Sequence, residues 1–460
     1  MKTKTNLYLF LIALISAMGG FLFGYDWVVI GGAKPFYEQY FQIADSPTMQ
    51  GWAMSSALIG CLIGALSAGK LSDRLGRKPI LIVAAGLFIC TAIGTGAVNS
   101  FGWFNVFRLI GGFAIGIASS LSPMYIAEIA PAHLRGRFVS INQLTVVLGI
   151  LSAQIVNWQI AEPVADHATA EMIRLSWNGQ TGWRWMFWAM TVPAALFFFF
   201  SFVLPESPRW LASSGYKEKA FGIFTKIGGE AHAREELAAI EAASCEKTVE
   251  GGFRQLLHPS MRRILLIGVV MAVLQQWCGI NVIFNYAQEI FMAAGYGVSD
   301  VLMNIVVTGV TNVIFTILAM CVVDRWGRKA LTLFGAFGLT LIYTFMGAAY
   351  WFHISGVLLL VIVVAAIACY AMTLATTMWV IISEIFPNRI PGGAMSVAHC
   401  LWAACFILTY TFPVLNTGLG AAGTFWLYGI ICLAGGIFVW RRLPETKGKS
   451  LEEIEHELIQ

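Results

Sequence analysis

Charged residues are scarce in this chain of 460 residues, at 12% against about 25% in an ordinary soluble domain. Hydrophobic residues make up 58% of the chain, and its mean hydropathy is +0.73. This composition argues against a soluble protein and is typical of a membrane protein. The net charge of +4 is small and does not indicate a nucleic acid as a partner.

Paired cysteines and motifs of enzyme chemistry are also missing. The nine cysteines are an odd number without paired spacing, so a disulfide framework or a zinc site is not expected. The chain has no His-Glu-x-x-His, no Gly-x-Ser-x-Gly and no phosphate-binding glycine loop. The sequence also has no set of repeated polar residues that would indicate the ring of a channel. We therefore expect neither enzyme activity nor a metal or cofactor.

Long apolar runs are abundant. A run of about 17 residues or more can cross a bilayer as a helix, and twelve are present, at residues 6–31, 50–71, 79–98, 101–126, 138–159, 184–204, 264–292, 300–323, 330–350, 355–382, 393–415 and 420–440. All but four of the 29 Lys and Arg lie at the termini or in loops that lead from an even to an odd span. The positive-inside rule then predicts a multi-pass protein of the cell membrane with both termini in the cytoplasm.

Three charged motifs recur in the same order, which predicts two pseudo-symmetric halves of six transmembrane helices each. The matched pairs are Asp73-Arg-Leu-Gly-Arg-Lys78 with Asp324-Arg-Trp-Gly-Arg-Lys329, Glu128 with Glu384, and Pro205-Glu-Ser with Pro444-Glu-Thr. We predict an N-terminal half at residues 1–205, a cytoplasmic linker at 206–262, a C-terminal half at 263–442 and a cytoplasmic tail at 443–460. The linker reads as short amphipathic helices, which could be no more than a tether. This layout is typical of alternating-access carriers, which bind substrate between their halves near the midplane.

Two opposite charges lie at or beside membrane depth. Asp26 falls within the apolar run 7–30, and Arg108 opens the run 108–126. An ionisable group at this depth is costly and usually faces a partner or a water-filled path. The pair therefore predicts a proton or ion relay, although a permanent salt bridge is the alternative.

The chain resembles the sugar porter family of the major facilitator superfamily over essentially its whole length. The motifs that carry the resemblance are Gly69-Lys-Leu-Ser-Asp-Arg-Leu-Gly-Arg-Lys78, Arg108-Leu-Ile-Gly-Gly, Pro123-Met-Tyr-Ile-Ala-Glu-Ile-Ala-Pro131 with Arg135-Gly-Arg137, Pro205-Glu-Ser-Pro-Arg-Trp210, Gln275-Gln276, Gly279-Ile-Asn281 and Pro444-Glu-Thr446. Within the family the chain is most similar to bacterial D-xylose–proton symporters, especially over residues 23–30 and 122–142. The resemblance implies a carrier that imports a monosaccharide with a proton by alternating access.

The resemblance also implies a sugar site of amides and aromatic rings, made by Phe23, Gln143, Gln275, Gln276, Asn281, Trp379 and Trp402. Amides both donate to and accept from hydroxyls. Gln276 and Asn281 are about 140° apart on a straight helix, so both can face one cavity only if the helix kinks at Gly279. A lone glutamine could instead form an interhelical hydrogen bond, and Trp402 could simply pack in the core.

Charged residues near the predicted cytoplasmic ends are implied to form ion pairs that hold the inward gate shut. They are Asp73, Arg77, Glu128, Arg135, Arg209, Asp324, Arg328 and Glu384. Exposed pairs contribute under about 1 kcal/mol each, so only a network could bias two states. The alternative is that these charges merely anchor loops. Pro391 occupies the second-half position that corresponds to Arg135, with Arg389 nearby.

Asp26 and Arg108 are implied to be the proton-coupling pair. Asp26 would be neutral when protonated and would be held as the anion when Arg108 approaches. Facilitative sugar porters commonly have Asn at this position, so the acid at residue 26 favours symport, and uniport is the alternative. A transporter-like sugar receptor is a remote one, because the tail after the last span is too short for an effector domain.

Some positions depart from the family pattern. Leu401 and Cys405 stand where amides are expected, Asn285 stands in place of a tyrosine, and Ala375-Thr-Thr-Met-Trp379 lacks the usual proline. The sugar therefore remains open among xylose, glucose, galactose, arabinose and a cyclitol. The expected partners are a monosaccharide, a proton and the lipid bilayer, and a monomer is sufficient.

Overall fold

The computed structural model describes residues 2–131, 134–165, 168–246, 259–293, 295–354, 356–385 and 391–445. Side chains are described in the same ranges apart from residues 2–6, 242–246, 259–261, 324–325, 379, 383–384 and 391–399. Every regular element in these ranges is a helix, as predicted.

In chain order the helices are α1 (Lys2–Phe41), α2 (Pro47–Leu75), α3 (Arg77–Ala97), α4 (Phe101–Ile129), α5 (Arg135–Ile160), α6 (Ala170–Leu175), a π-helical turn (Asn178–Gly182), α7 (Trp183–Ala189), α8 (Thr191–Ser201), α9 (Pro208–Ser213), α10 (Lys217–Gly228), α11 (Glu230–Glu246), α12 (Pro259–Trp277), α13 (Ile280–Asn285), α14 (Ala287–Ala293), α15 (Val298–Trp326), α16 (Arg328–Trp351), α17 (Val357–Met372), α18 (Leu374–Ile385) and α19 (Pro391–Arg442).

Within the described residues, 11 helical segments are long and apolar enough to cross a membrane. The last of them, Cys400–Arg442, has 43 residues, about twice the length that one crossing needs. Gly420 interrupts it with φ 68° and ψ 171°, so α19 is two helices that meet at this residue. The chain therefore has the twelve crossings of the predicted fold.

The first copy of the repeated Asp-Arg-x-Gly-Arg motif forms a tight turn between α2 and α3. Gly76 has a φ of 94°, a conformation that favours glycine. The carboxylate of Glu206 accepts hydrogen bonds from the backbone N–H groups of Arg77, at 2.8 Å, and Lys78, at 3.2 Å. The glutamate of the Pro-Glu-Ser motif therefore caps the start of α3, where free N–H groups attract negative charge.

The second copy forms the same turn between α15 and α16. Gly327 has a φ of 90°, and a Cβ there would lie 2.9 Å from an oxygen of Glu445. Glu445 accepts from the backbone N–H groups of Arg328, at 3.0 Å, and Lys329, at 3.2 Å. The motifs that repeat in the sequence thus repeat their contacts, which is the structural expression of the two halves.

Among the described residues, the longest contacts between the halves run along two seams, one between α2 and α19 and the other between α5 and α15. Small residues allow a close approach in both. A Cβ on Gly51 of α2 would collide with the carbonyl oxygen of Tyr410, and one on Gly309 of α15 would collide with the side chain of Gln154. These glycines therefore let the helices of the two halves approach closely along the seams.

The predicted linker helices are present as α10 and α11, which pack with α9 around Leu211, Ala220 and Phe224. The indole N–H of Trp210 donates to the backbone oxygen of Asp73 at 2.9 Å and so attaches the linker to the first half. We call this end of the bundle the linker face. The opposite end, where α1 ends and α2 begins, is the far face.

Candidate functional site

Asp26 and Arg108 form a buried ion pair between α1 and α4. Nη1 of Arg108 lies 2.6 Å from Oδ1 of Asp26, and the two side chains are only 4% and 3% exposed. The guanidinium also lies 5.9 Å from the ring centre of Phe187. Removing one member of a buried pair leaves an uncompensated charge, which is strongly unfavourable. The opposite charges noticed in the sequence are therefore direct partners.

The pairing of Asp26 leaves one carboxylate oxygen without a hydrogen bond. Oδ2 has no partner among the described residues, and a Cβ on Gly111 of α4 would lie 3.4 Å from it. In the described part of the chain, Arg108 is therefore the charged partner that neutralises this carboxylate.

The helix break predicted at Gly279 is present, with a φ of 83° between α12 and α13. Because of the break, the side-chain amide of Asn281 donates to Oε1 of Gln276. The amide of Gln276 donates in turn to Oε1 of Gln275 at 2.7 Å, and both glutamines are buried. Three amides that the sequence singled out thus form one hydrogen-bonded row, which we call the amide row.

The amide row contacts the first part of α19. Nδ2 of Asn281 lies 3.6 Å from Sγ of Cys405, and the hydroxyl of Tyr286 donates to the backbone oxygen of Thr409 at 2.7 Å. Cys405 lies one turn after Trp402 on the same helix. The row and this tryptophan therefore belong to one region of the second half.

Three aromatic rings meet across the interface between the halves. Phe23 and Trp27 of α1 lie 5.9 Å apart between ring centres, and Trp402 of α19 lies 5.9 Å from Phe23 and 6.0 Å from Trp27. Trp27 was not predicted as a site residue. Its position four residues after Phe23, on the same helix face, is the signal that could have identified it.

The remaining predicted sugar-site residues are less tightly connected. Gln143 lies half-buried on α5. The hydroxyl of Thr145, two residues later, donates to the backbone oxygen of Ala17 at 2.8 Å and holds α5 against α1. Within the described residues, Gln143 makes no hydrogen bond to the amide row. The side chain of Trp379 lies outside the described residues.

Arg77 is the centre of the ion pairs at the linker face. Its Nη2 lies 2.9 Å from Oε1 of Glu128, and its Nε donates to Oε2 of the same carboxylate at 3.0 Å. A second pair with the exposed Asp73 measures 3.2 Å. The two-point contact between Arg77 and Glu128 links α3 to α4 and fixes their relative orientation.

Other predicted gate residues have different partners. Arg135 donates to a backbone oxygen of α4 at 3.1 Å, and Arg209 pairs with Glu236 of the linker at 3.6 Å. In the described part of the chain neither pairs with Glu128, whose oxygens both face Arg77. Arg328 begins α16, where Glu445 caps its backbone. The side chains of Asp324 and Glu384 lie outside the described residues.

Comparison with known proteins agrees with this architecture. The sequence profile described as "Sugar (and other) transporter" matches residues 12–458. The chain is 37% identical over 487 residues to the D-xylose-proton symporter of Escherichia coli strain K12, covering 99% of this chain and 97% of that protein. It is 37% identical over 450 residues to the arabinose-proton symporter of Bacillus subtilis strain 168, covering 97% and 94%.

A solved structure gives the same result. The inward open conformation of the xylose transporter XylE from E. coli matches with a TM-score of 0.84 at 34% identity, covering 98% of this chain and 100% of that one. The chain therefore belongs to the sugar porter family of the major facilitator superfamily.

Proposed function

We propose that the protein imports a monosaccharide together with a proton by alternating access. The observation that carries the proposal is the position of Asp26 on α1, three residues after Phe23 and one before Trp27. Both rings contact Trp402 of the other half. One helix segment thus carries Asp26 and two rings of the site between the halves. A movement of the segment caused by a change at Asp26 therefore also moves the two rings.

Sugar and proton fluxes are coupled because both ligands bind one conformation of the protein more tightly than the other. In the present conformation Asp26 is paired with Arg108, which corresponds to the state from which the proton has left. Protonation removes the need for the pair and frees α1 to shift against α4. Because Phe23 and Trp27 move with α1, sugar affinity and proton affinity change together, and each ligand favours the same conformer.

The sugar site is proposed to combine the predicted residues with one addition. It comprises Phe23, Gln143, Gln275, Gln276, Asn281, Trp379 and Trp402, with Trp27 as the added member. Amides exchange hydrogen bonds with hydroxyls, and rings cover the apolar faces of the sugar. With Leu401 and Cys405 in place of amides, the second half has fewer hydrogen-bonding groups, and a pentose or a hexose remains the substrate class.

The orientation follows from charge. We place the linker face in the cytoplasm because nearly all Lys and Arg of the connecting segments belong to that side. Both termini, the linker at 206–262 and the tail at 443–460 then lie in the cytoplasm. The eight charged residues singled out above would act there as the inward gate, and a monomer would be sufficient.

Uptake into vesicles tests the proposal. The protein is reconstituted, and radiolabelled xylose is supplied with the outside more acidic than the inside. We expect accumulation above the outside concentration, with competition by an excess of at least one unlabelled pentose or hexose. Equilibration without accumulation would indicate uniport. Binding without any flux of xylose, glucose, galactose, arabinose or inositol would indicate a receptor.

A further inference from the structure

A second buried charge cluster lies towards the far face and has no part in the proposed coupling. Nζ of Lys34 on α1 lies 2.8 Å from Oε1 of Glu38, one turn along the same helix, and also contacts Oε1 of Glu289 on α14. The three side chains are 2%, 7% and 24% exposed. The ring centre of Tyr286 lies 5.3 Å from the ammonium group.

This cluster joins the two halves, because α1 belongs to the first and α14 to the second. Other contacts between the halves lie at the same end of the bundle. The backbone N–H of Val164 donates to Oγ of Ser299 at 3.0 Å, and a Cβ on Gly31 would lie 3.1 Å from the carbonyl oxygen of Asn285. The far face is therefore closed here, and these contacts must part before substrate can enter from that side.

We propose that Lys34 and Glu289 form a latch that holds the far face closed, and that Glu38 keeps Lys34 paired when the latch opens. Stranding a buried charge is strongly unfavourable. Glu38 prevents this for Lys34, since the two travel together on α1. The transport role of the latch rests on the proposed function, whereas its effect on the conformational equilibrium does not.

The carboxylate of Glu289 can be hydrated when the latch opens. This residue lines a cavity of about 380 Å³ at the far face, together with Gln50, Phe412 and Asn416. Its carboxylate can therefore be hydrated as the halves separate. Because neither partner is stranded in the open state, the latch can be broken and re-formed repeatedly.

The two carboxylates share one ammonium group, so their removal has opposite consequences. Without Glu289, the attraction between the halves is lost and Lys34 remains satisfied by Glu38. Without Glu38, Lys34 depends on Glu289 alone and is stranded if the far face opens. A charge that merely stabilises the fold would not distinguish the two variants in this way, since an equilibrium shifts only by differential interaction with its two states.

Spin labels across the far-face seam measure this equilibrium. Gln159→Cys near the end of α5 and Asp300→Cys in the first turn of α15 are exposed positions on helices that meet at the seam. They are labelled in a variant without the native cysteines that react with the label, and distances are measured by double electron–electron resonance. We expect Glu289→Gln to raise the ratio of open to closed far face roughly ten-fold, equivalent to about 1.4 kcal/mol. Glu38→Gln should leave the ratio unchanged or lower it.

Two results would overturn the latch. One is an unchanged ratio in Glu289→Gln, and the other is a rise in Glu38→Gln of similar size, which would mean general loosening. If the Glu289→Gln protein is not produced in folded form, Glu289→Asp replaces it. This variant keeps the charge on a shorter side chain, and we expect a smaller rise in the ratio of open to closed far face. Sugar flux is not part of the measurement, so a protein that moves no sugar would refute the proposed function while leaving the latch in place.

Discussion

Replacing Asp26 with Asn should abolish proton-driven accumulation of sugar while sugar binding persists. Asparagine keeps the size of the side chain and can still accept a hydrogen bond from Arg108, but it cannot carry a titrating proton. The accumulation ratio in vesicles with an acidic exterior should fall to about one. Exchange of labelled for unlabelled sugar should continue, because it needs no net movement of protons.

Asp300→Asn is the matched control for this variant. It removes an exposed carboxylate at the start of α15, away from the buried pair, and should accumulate sugar like the parent. Accumulation retained by Asp26→Asn would mean that Asp26 is only a fixed partner of Arg108.

The second large effect concerns Gln276, the central member of the amide row. It donates to Gln275 and accepts from Asn281, so Gln276→Ala would remove a proposed contact to the sugar. It would also leave the buried Gln275 and the half-buried Asn281 each with one hydrogen bond fewer. Such losses cost about 1–3 kcal/mol, equivalent to a fall in sugar affinity of roughly five- to hundred-fold. Isothermal titration calorimetry with purified protein measures this sugar affinity.

Gln159→Ala provides the comparison, since the amide of Gln159 is exposed near the end of α5. This variant should bind sugar as the parent does. The amount of folded protein in the membrane should be similar in all variants. If Gln275→Ala and Gln276→Ala both bound sugar unchanged, these residues would not belong to the site.

Apolar run length predicted the twelve crossings well but placed some ends wrongly. The first span was expected to end near residue 31, yet α1 continues to Phe41 through Lys34 and Pro35. Hydropathy ends a span at a lysine, whereas the structure compensates this lysine with two carboxylates. The seventh run, at 264–292, reads as one span by hydropathy alone, whereas the spacing of Gln276 and Asn281 predicted the break that the left-handed Gly279 makes in it.

The buried pair of Asp26 and Arg108 could be predicted because each charge is conspicuous in apolar surroundings. That Gln276 and Asn281 come together could also be predicted, because it required only one kink, at Gly279, within a single helix. Lys34 and Glu289 are separated by 255 residues, and each reads alone as an ordinary charge near a helix end. Glu206 marked a repeat in the sequence, but its contact with the backbone of α3 depends on how α3 packs against the linker. Such partnerships arise only when the helices assemble.

Proton uptake by cells that contain the unmodified protein tests the central claim most directly. When a transported sugar is added to de-energised cells in weakly buffered medium, symport carries protons inward with it. We predict a transient rise in the pH of the medium, absent from cells without the protein and from those with Asp26→Asn. A transported sugar that enters without any alkalinisation would contradict proton-coupled import.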